Sequence, residues 1–268
     1  MRPPYLVAHR GASAHRAEHT LAAYALALEQ GADGLECDVR LTRDGHLVCV
    51  HDRKVNRTSS GRGVVSELTL ADMSGFDYGE WHDEWPESAD HLVTGPTAVP
   101  SAPPADRGLL TLSDLLGLVT DVSPDTKLFV ETKHPVRYGG LVEAKLVALL
   151  ARHGLAKPPE KAGSPVIVMS FSALAVRRVR ELSPFLPTVY LLDRKRFGDG
   201  VPHWVDIVGP GIHLLRESPG QVAQWRDRGR ETYCWTVDDP ADVELCRRLG
   251  VAYVATNSPA ATRRVLDG

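Results

Sequence analysis

The segment YLVAHRGASAHRAEHTLAAYALALEQGADGLECDVRLTRDGHLVCVHD, residues 5–52, carries the pattern that decides the fold of this chain. Its first residues, Tyr5–Ala8, form a short apolar run typical of a buried strand. From Thr20 to Gln30 apolar side chains recur at helical spacing, at Leu21, Tyr24, Ala25 and Leu28. A second apolar run follows at Ala32–Val39. The segment therefore predicts a strand, a helix and a second strand parallel to the first.

The end of this segment predicts a β-hairpin. Asp44-Gly45 separates the second strand from another apolar run at Leu47–Val50, and Asp-Gly is a strong hairpin signal. If these two residues are the central pair of the turn, Arg43 faces His46 and Asp38 faces His51. Glu36 then lies on the same face as Asp38, because side chains alternate along a strand. One local unit would place two carboxylates and an imidazole around a common point.

Strands and helices continue to alternate along the rest of the chain. Further strands are predicted at Leu128–Thr132, Val166–Phe171, Val189–Leu192, Val205–Val208, Thr232–Val237 and Tyr253–Thr256. Helices are predicted at Leu112–Val119, Leu141–His153, Leu174–Leu182, Gly220–Arg228, Ala241–Leu249 and Ala260–Leu266. Eight strands that can lie parallel favour a (β/α)8 TIM barrel. A doubly wound open sheet is the alternative, but the chain carries neither of the glycine-rich phosphate-loop motifs common in that fold.

The loosely patterned residues 53–110 are predicted to be a small insertion within a single domain that spans residues 1–268. The length of 268 residues suits one barrel of about 250 residues. Four aromatic residues lie in this insertion: Phe76, Tyr78, Trp81 and Trp85. They either provide an apolar access face or, as we expect, pack beneath a long loop.

Composition excludes several classes of protein. Hydrophobic residues make up 43% of the chain and charged residues 24%, which argues against disorder and coiled coil. A net charge of −3 gives no reason to expect nucleic acid or an anionic membrane as a partner. No apolar run approaches a membrane span, and no signal-peptide region precedes Tyr5, so a cytoplasmic location is expected. The four cysteines form no C-x-x-C pair and are predicted to be free thiols.

Polar residues follow the predicted strands at the end where a barrel carries its active site. Carboxylates at Glu36, Asp38 and Glu131 form an all-oxygen set, which suits one hard divalent cation, calcium or magnesium. His9 and His51 end two different strands and are candidates for a general acid and a general base.

Two cations complete this set of polar residues. Arg10 follows His9 in the sequence, and Lys133 lies two residues after Glu131; both side chains suit a phosphate oxyanion. The combination favours phosphoryl transfer or phosphodiester hydrolysis. A glycosidase or a metal-dependent sugar isomerase would leave the two cations unexplained.

The same residues carry a resemblance to a known family. The segment His9–Asp52 contains an HRG, a Glu18-His19-Thr20 triplet, a Glu-x-Asp, the Asp-Gly hairpin and a final His-Asp. Later blocks follow in family order at Arg57-Thr58, Glu131-x-Lys133, Ser170-Phe171, Trp235-Thr236-Val237 and Gly250–Pro259. In these motifs the chain resembles the glycerophosphodiester phosphodiesterases, most weakly between residues 76 and 110.

The resemblance implies a barrel with a small insertion after His51-Asp52, and it implies roles for nine residues. His9 and His51 would be the acid–base pair. The metal ligands would be Glu36, Asp38 and Glu131, and the residues that bind phosphate or substrate would be Arg10, Lys133, Glu18 and Trp235. Three positions depart from the usual family pattern: His19 replaces an Asn, Asp238 stands where Asn is common, and Asn257 replaces a frequent Asp.

The implied reaction is metal-dependent hydrolysis of glycerophosphodiesters, such as glycerophosphocholine or glycerophosphoethanolamine, to sn-glycerol 3-phosphate and an alcohol. The nucleophile is either water or the glycerol 2-hydroxyl, which would give a cyclic phosphate that water then opens. The alternatives are a lysophospholipase D acting on lipids, a phosphatidylinositol-type phospholipase C and a non-catalytic homologue that binds a phosphorylated ligand. The expected partner is a small-molecule phosphodiester, without stable membrane insertion, and the oligomeric state is left open.

Overall fold

The chain forms a closed parallel barrel in the computed structural model, which describes residues 3–79, 107–123, 125–194 and 201–268. The strands follow the order β1-β9-β8-β7-β6-β5-β4-β2-β3, and parallel pairing of β1 with β2 closes the sheet. The strand β3 is an extra antiparallel arm on β2. The predicted (β/α)8 barrel is therefore confirmed.

The elements alternate along the chain as expected for this fold. The strands are β1 (Tyr5–His9), β2 (Gly34–Leu41), β3 (Leu47–Cys49), β4 (Lys127–Thr132), β5 (Val166–Ser170), β6 (Thr188–Leu192), β7 (Ile207–Pro210), β8 (Glu231–Cys234) and β9 (Tyr253–Thr256). The helices are α1 (Leu21–Glu29), α2 (Leu70–Ser74), α3 (Leu112–Val122), α4 (Leu141–Arg152), α5 (Ala173–Leu182), α6 (Ile212–Glu217), α7 (Gln221–Arg226), α8 (Pro240–Leu249) and α9 (Pro259–Asp267).

The bounds of several strands and helices differ from the sequence predictions by up to three residues, as at the end of β8, which is Cys234 rather than Val237. The sixth barrel strand, β7, begins two residues later than predicted, at Ile207. Helices α2 and α6, which have five and six residues, were not predicted.

The core is layered, and this layering positions the polar end of the barrel. An inner cluster fills the barrel with the side chains of Val7, Phe129, Ile167, Met169, Val189, Leu191, Ile207, Tyr233 and Ala255. Residues that alternate with these point outward and pack against the helices. The barrel is therefore a packed core rather than a pore. Polar side chains at the strand ends lie above an apolar floor that excludes water.

The predicted hairpin exists, but its predicted register is wrong by one residue. Val39 pairs with Cys49 and Leu41 with Leu47, so Val50 and not His51 lies opposite Asp38. The N–H of Thr42 donates to the carbonyl oxygen of His46 at 2.9 Å, which makes the loop three residues long. The third loop residue, Gly45, has a φ of +87°, as three-residue hairpin loops require. His51 therefore follows the ladder instead of belonging to it.

The described part of the insertion packs against the barrel through its own small cluster. Val48, Val50, Val55, Val65, Met73 and Tyr78 are buried together, with Phe76 partly buried against them. Phe76 and Tyr78 thus pack within this cluster rather than forming an apolar access face. Trp81 and Trp85 lie outside the described residues.

The turn after β1 requires a glycine. Gly11 has a φ of +85°, and a Cβ atom at this position would lie 2.7 Å from the backbone carbonyl carbon of Ala23 in α1. The N–H of the next residue, Ala12, donates to the carbonyl oxygen of Ala23 at 2.9 Å. The close approach seats helix α1 directly against the loop that follows His9.

The substitution G11A is expected to lower the free energy of unfolding by about 3 kcal/mol, because it adds a backbone clash to left-handed strain. The control is G154A, where φ is +73° but no atom lies within 4 Å of the added Cβ. It should lose only about 1 kcal/mol. Urea denaturation of the two variants measures the difference, and equal losses would contradict the role of the Ala23 contact.

Candidate active site

Three buried carboxylates meet at the carboxyl end of the barrel. Glu36 and Asp38 project from β2, and Glu131 projects from the neighbouring strand β4, where it pairs in register with Asp38. One oxygen of each carboxylate lies within 4.8 Å of the corresponding oxygens of the other two. Side-chain alternation accounts for this grouping, because residues two apart on a strand share a face.

Two cations are paired with these carboxylates. Nε of Arg10 lies 2.9 Å from Oδ2 of Asp38, and Nζ of Lys133 lies 3.0 Å from Oε1 of Glu131 and 3.3 Å from Oδ1 of Asp38. Burial by itself would raise the pKa of Asp38, but Lys133 and Arg10 hold it well below its usual range. Burial, followed by the charge of Asp38, raises the pKa of Glu36 well above its usual range.

The donor set fits a hard divalent cation. Oδ1 of Asp38 is buried and has no hydrogen-bond partner among the described residues, although Lys133 is nearby. A buried carboxylate oxygen that accepts no hydrogen bond can coordinate a cation. A bound cation would also offset the repulsion that raises the pKa of Glu36. Three carboxylates with no thiolate or imidazole among them form the all-oxygen donor set that hard divalent cations prefer.

His51 belongs to a buried network of charged side chains. Nδ1 of His51 donates to Oδ1 of Asp52 at 2.7 Å, since a carboxylate only accepts. Nε of Arg57 donates to the other oxygen of Asp52 at 2.8 Å. Arg57 also donates to both oxygens of Glu18, at 2.9 and 2.8 Å. Glu18 in turn accepts from Nη1 of Arg10 at 3.3 Å, so the network connects His51 to the carboxylate cluster.

His9 is held by a different kind of partner. Its Nδ1 lies 2.8 Å from Oδ1 of Asn257, an amide oxygen, so Nδ1 carries the proton and Nε2 faces Glu36 at 4.0 Å. Asp238 orients Asn257 by accepting from its backbone N–H and its amide Nδ2, both at 2.7 Å. Burial, followed by the charge of Arg10, lowers the pKa of His9 below its ordinary value. His9 is therefore a neutral imidazole with Nε2 as its basic nitrogen.

Two residues of the site have a strained backbone. Arg10 and His19 have left-handed backbone conformations, with φ of +58° and +59°. The N–H of His19 donates to the carbonyl oxygen of Arg10 at 3.2 Å. Both side chains bind the same atom, Oδ2 of Asp38, His19 through Nε2 at 3.0 Å. Tyr24 supports the other nitrogen of His19 at 2.8 Å. Strain at residues without glycine's freedom is typical of functional sites.

The opposite wall of the site is apolar. Trp235 lies edge-on to Phe171 with ring centroids 5.3 Å apart, and its Nε1 donates to the carbonyl oxygen of Gly209 at 2.8 Å. Met169, Leu191 and the aromatic ring of Tyr233 continue this wall. Between the two walls lies a cavity of about 20 Å³. That volume admits one or two oxygen-sized atoms.

The structure brings the predicted site residues together. His9, Arg10, Glu36, Glu131 and Trp235 line the cavity, Asp38 and Lys133 pair with its carboxylates, and Glu18 pairs with Arg10. His51 is connected to the cluster through Asp52, Arg57 and Glu18, which pairs with Arg10. Cys37 points away from this cluster and is buried in the outer core, as alternation predicted. The four cysteines are free thiols, also as predicted.

Several residues of the site were not predicted from the sequence. Asp52 and Arg57 occur in the family motifs, so their spacing was a usable signal. Asn257 and Asp238 were noticed only as departures from the family pattern. Nothing in the sequence singled out Tyr233.

A larger cavity of about 390 Å³ lies elsewhere on the rim, between residues 64–67 and 135–138. None of the nine predicted site residues lines it. The smaller cavity, which Arg10, Glu36 and Glu131 line, is therefore the candidate active site.

Among the described residues, no helix combines the length and the apolar character that a membrane span needs.

The chain is similar to known proteins along its whole length. The model of the glycerophosphoryl diester phosphodiesterase family matches residues 9–261. A probable glycerophosphodiester phosphodiesterase 1 of Mycobacterium tuberculosis is 50% identical over 267 residues, which cover 98% of this chain and 93% of the relative. A glycerophosphodiester phosphodiesterase of Bacillus subtilis is 34% identical, covering 98% of this chain and 86% of the relative.

A solved structure also matches the fold. A phosphodiesterase of Oleispira antarctica, in complex with the product sn-glycerol-3-phosphate, superposes with a TM-score of 0.81 at 22% identity, covering 99% of this chain and 98% of that one.

Proposed function

This chain belongs to the glycerophosphoryl diester phosphodiesterase family, and we propose that it hydrolyses glycerophosphodiesters to sn-glycerol 3-phosphate and an alcohol in a reaction that needs one calcium or magnesium ion. One observation carries this proposal. Three buried carboxylates, two cations and two imidazoles with different partners converge at the carboxyl end of the barrel. This set matches the charge and the proton transfers of phosphodiester hydrolysis.

The carboxylates of Glu36, Asp38 and Glu131 would hold the cation. When bound, the cation supplies charge neutralisation at a phosphoryl oxygen. Lys133 and Arg10 lie within 3.3 Å of these same carboxylates, so their positive charges act on the same oxyanion. Glu18 and Asp38 orient the guanidinium of Arg10 from two sides.

The two histidines have different partners, and we assign them different roles. His9 faces an amide oxygen and is neutral, so its Nε2 accepts the proton of the nucleophile. His51 faces the carboxylate of Asp52, which stabilises an imidazolium, so His51 protonates the leaving alcohol. The nucleophile is water or the glycerol 2-hydroxyl. Trp235 and Phe171 would cover the carbon skeleton of the glycerol end.

The test is release of sn-glycerol 3-phosphate from glycerophosphocholine or glycerophosphoethanolamine, measured in EDTA and then with added Ca²⁺, Mg²⁺ or Mn²⁺. We expect release that EDTA abolishes and that a single cation restores. Turnover of lysophosphatidylcholine alone would overturn this proposal in favour of a lysophospholipase D. Absence of turnover on both substrate classes would favour a non-catalytic protein that binds phosphorylated ligands.

His19 is expected to tune the affinity of the cation site. Its Nε2 and Nε of Arg10 both hold Oδ2 of Asp38, which leaves Oδ1 for a cation. The variant H19A should weaken Mn²⁺ binding by about 10- to 100-fold, the usual effect of losing a group that orients a ligand. Calorimetric titration measures the affinity. Y24F keeps the imidazole of His19 and removes only the hydroxyl that contacts its Nδ1 and the carbonyl oxygen of Glu36, so it should lose less. Wild-type affinity in H19A would contradict this expectation.

A further inference from the structure

Tyr233 carries a buried hydroxyl that makes no hydrogen bond within the part of the chain that the structure describes. The residue is 1% exposed, and its hydroxyl has no hydrogen-bond partner among the described residues. Most buried polar side-chain atoms in folded proteins have a partner, because an unpaired donor loses its bonds to water. The phenol of a tyrosine buried only for packing could be replaced by phenylalanine at no loss. A bound ligand with an oxygen acceptor would give the hydroxyl of Tyr233 the hydrogen bond that it lacks.

The position of Tyr233 in the barrel places its side chain beside the active site. On β8 its side chain points into the inner core, whereas its neighbour Cys234 belongs to the outer core. Its ring packs on Phe129 with centroids 5.1 Å apart. Phe129 precedes Glu131 by two residues on the same face of β4, so the ring of Tyr233 lies at the floor of the site. Tyr233 also lines the cavity between the carboxylates and the apolar wall.

The surroundings keep this hydroxyl protonated. Burial, followed by the negative charges of Glu36 and Glu131, raises the pKa of Tyr233 well above its ordinary value. A protonated phenol is a hydrogen-bond donor. On the apolar wall the indole N–H of Trp235 is already engaged by Gly209, and Met169 and Leu191 offer no donor. The hydroxyl of Tyr233 is therefore a hydrogen-bond donor with no acceptor among the described residues. It belongs to a residue that lines a cavity with room for one or two oxygen atoms.

We propose that Tyr233 is a further substrate-binding residue, whose hydroxyl donates a hydrogen bond to an oxygen of the glycerol phosphate moiety. The inference rests on the proposed function, since it assumes that this moiety occupies the site. The oxygen is either a glycerol hydroxyl or a phosphoryl oxygen. Both are acceptors, and both belong to the same ligand.

The variant Y233F tests the proposal, because it removes the hydroxyl and keeps the ring that packs on Phe129. With saturating Mn²⁺, sn-glycerol 3-phosphate is titrated calorimetrically into wild type, Y233F and the control Y78F, which makes the same change in the insertion cluster. We expect Y233F to bind about tenfold more weakly, the effect of one lost hydrogen bond, and Y78F to bind like wild type. Without ligand, Y233F should melt no lower than wild type, because an unpaired buried donor has been removed.

A second ligand identifies the oxygen that is bound. Propyl phosphate has the phosphoryl group but no glycerol hydroxyls. A tenfold loss with both ligands supports a bond to the phosphoryl group, and a loss only with sn-glycerol 3-phosphate supports a bond to a hydroxyl.

Two outcomes would overturn the proposal. Wild-type affinity of Y233F for both ligands would leave its hydroxyl without a substrate role. A change confined to Mn²⁺ affinity would show that the hydroxyl acts on the cation instead. Turnover of glycerophosphocholine by wild type, measured in parallel, separates failure of this inference from failure of the proposed function.

Discussion

The variant H51Q is expected to lower kcat/KM for glycerophosphocholine by about 10³-fold while the protein stays folded, because the loss of a general acid slows catalysis by roughly 10²–10⁴-fold. Glutamine keeps a donor for Asp52, which lies 2.7 Å from Nδ1 of His51, so the network through Arg57 is preserved. The substitution removes the imidazole that we propose protonates the leaving alcohol.

The choice of leaving group makes this expectation specific to the acid role. Nitrophenolate departs without a proton, so H51Q should lose far less activity on the p-nitrophenyl ester of glycerol phosphate. A variant of the proposed general base, H9Q, should lose activity on both substrates alike, because deprotonation of the nucleophile is needed whichever group leaves. The control H153Q changes an exposed histidine at the end of α4 and should match wild type.

Equal losses of H51Q on the two substrates would contradict the assignment of His51 as the acid. Near-wild-type activity of H51Q on glycerophosphocholine would contradict any catalytic role for this histidine. Circular dichroism of each variant shows that the comparison is made on folded protein.

The variant E36Q is expected to abolish most cation-dependent activity and to change stability in opposite directions with and without metal. A saturating cation at 100 times its Kd stabilises a protein by about 2.7 kcal/mol. For a chain of this size that corresponds to a rise in Tm of roughly 5–10 °C with Mn²⁺ in wild type. E36Q lacks one of the three carboxylates of the site and should lose most of this rise.

In EDTA we expect the substitution E36Q to leave the melting temperature unchanged or to raise it. Burial and the charges of Asp38 and Glu131 raise the pKa of Glu36, so its ionised form is disfavoured in the folded protein. A raised pKa in a carboxyl group means that stability falls as pH rises through the range in which Glu36 ionises. Neutral glutamine avoids this loss, and E36Q should melt at or above the wild-type temperature without metal.

The control for this pair of measurements is E29Q, an exposed glutamate at the end of α1. It should show the full Mn²⁺ response. A full response in E36Q as well would exclude Glu36 as a ligand. A lower Tm of E36Q in EDTA would show that Glu36 stabilises the fold rather than a cation.

Much of this protein is determined locally in its sequence. The barrel follows from alternating apolar runs and helical periods, because each strand or helix is specified by residues close together in the chain. The candidate residues Glu36, Asp38 and Glu131 were identifiable for a similar reason. Charged residues within or directly after a buried strand are unusual, and parallel strands carry their carboxyl ends to the same side.

Only the tertiary structure decided the features that depend on contacts between distant residues or on a strand register that a shift of one residue would change. The hairpin loop holds three residues rather than two, so Asp38 lies opposite Val50, and the loop length depends on how the arm β3 packs. The partner of His9 is Asn257, which lies 248 residues away in the chain and meets it only when β1 pairs with β9. The burial of the Tyr233 hydroxyl without a partner in the described ranges likewise follows only from closure of the barrel around it. Sequence supplies residue types and local periods, whereas burial and hydrogen-bond partners are properties of the packed chain.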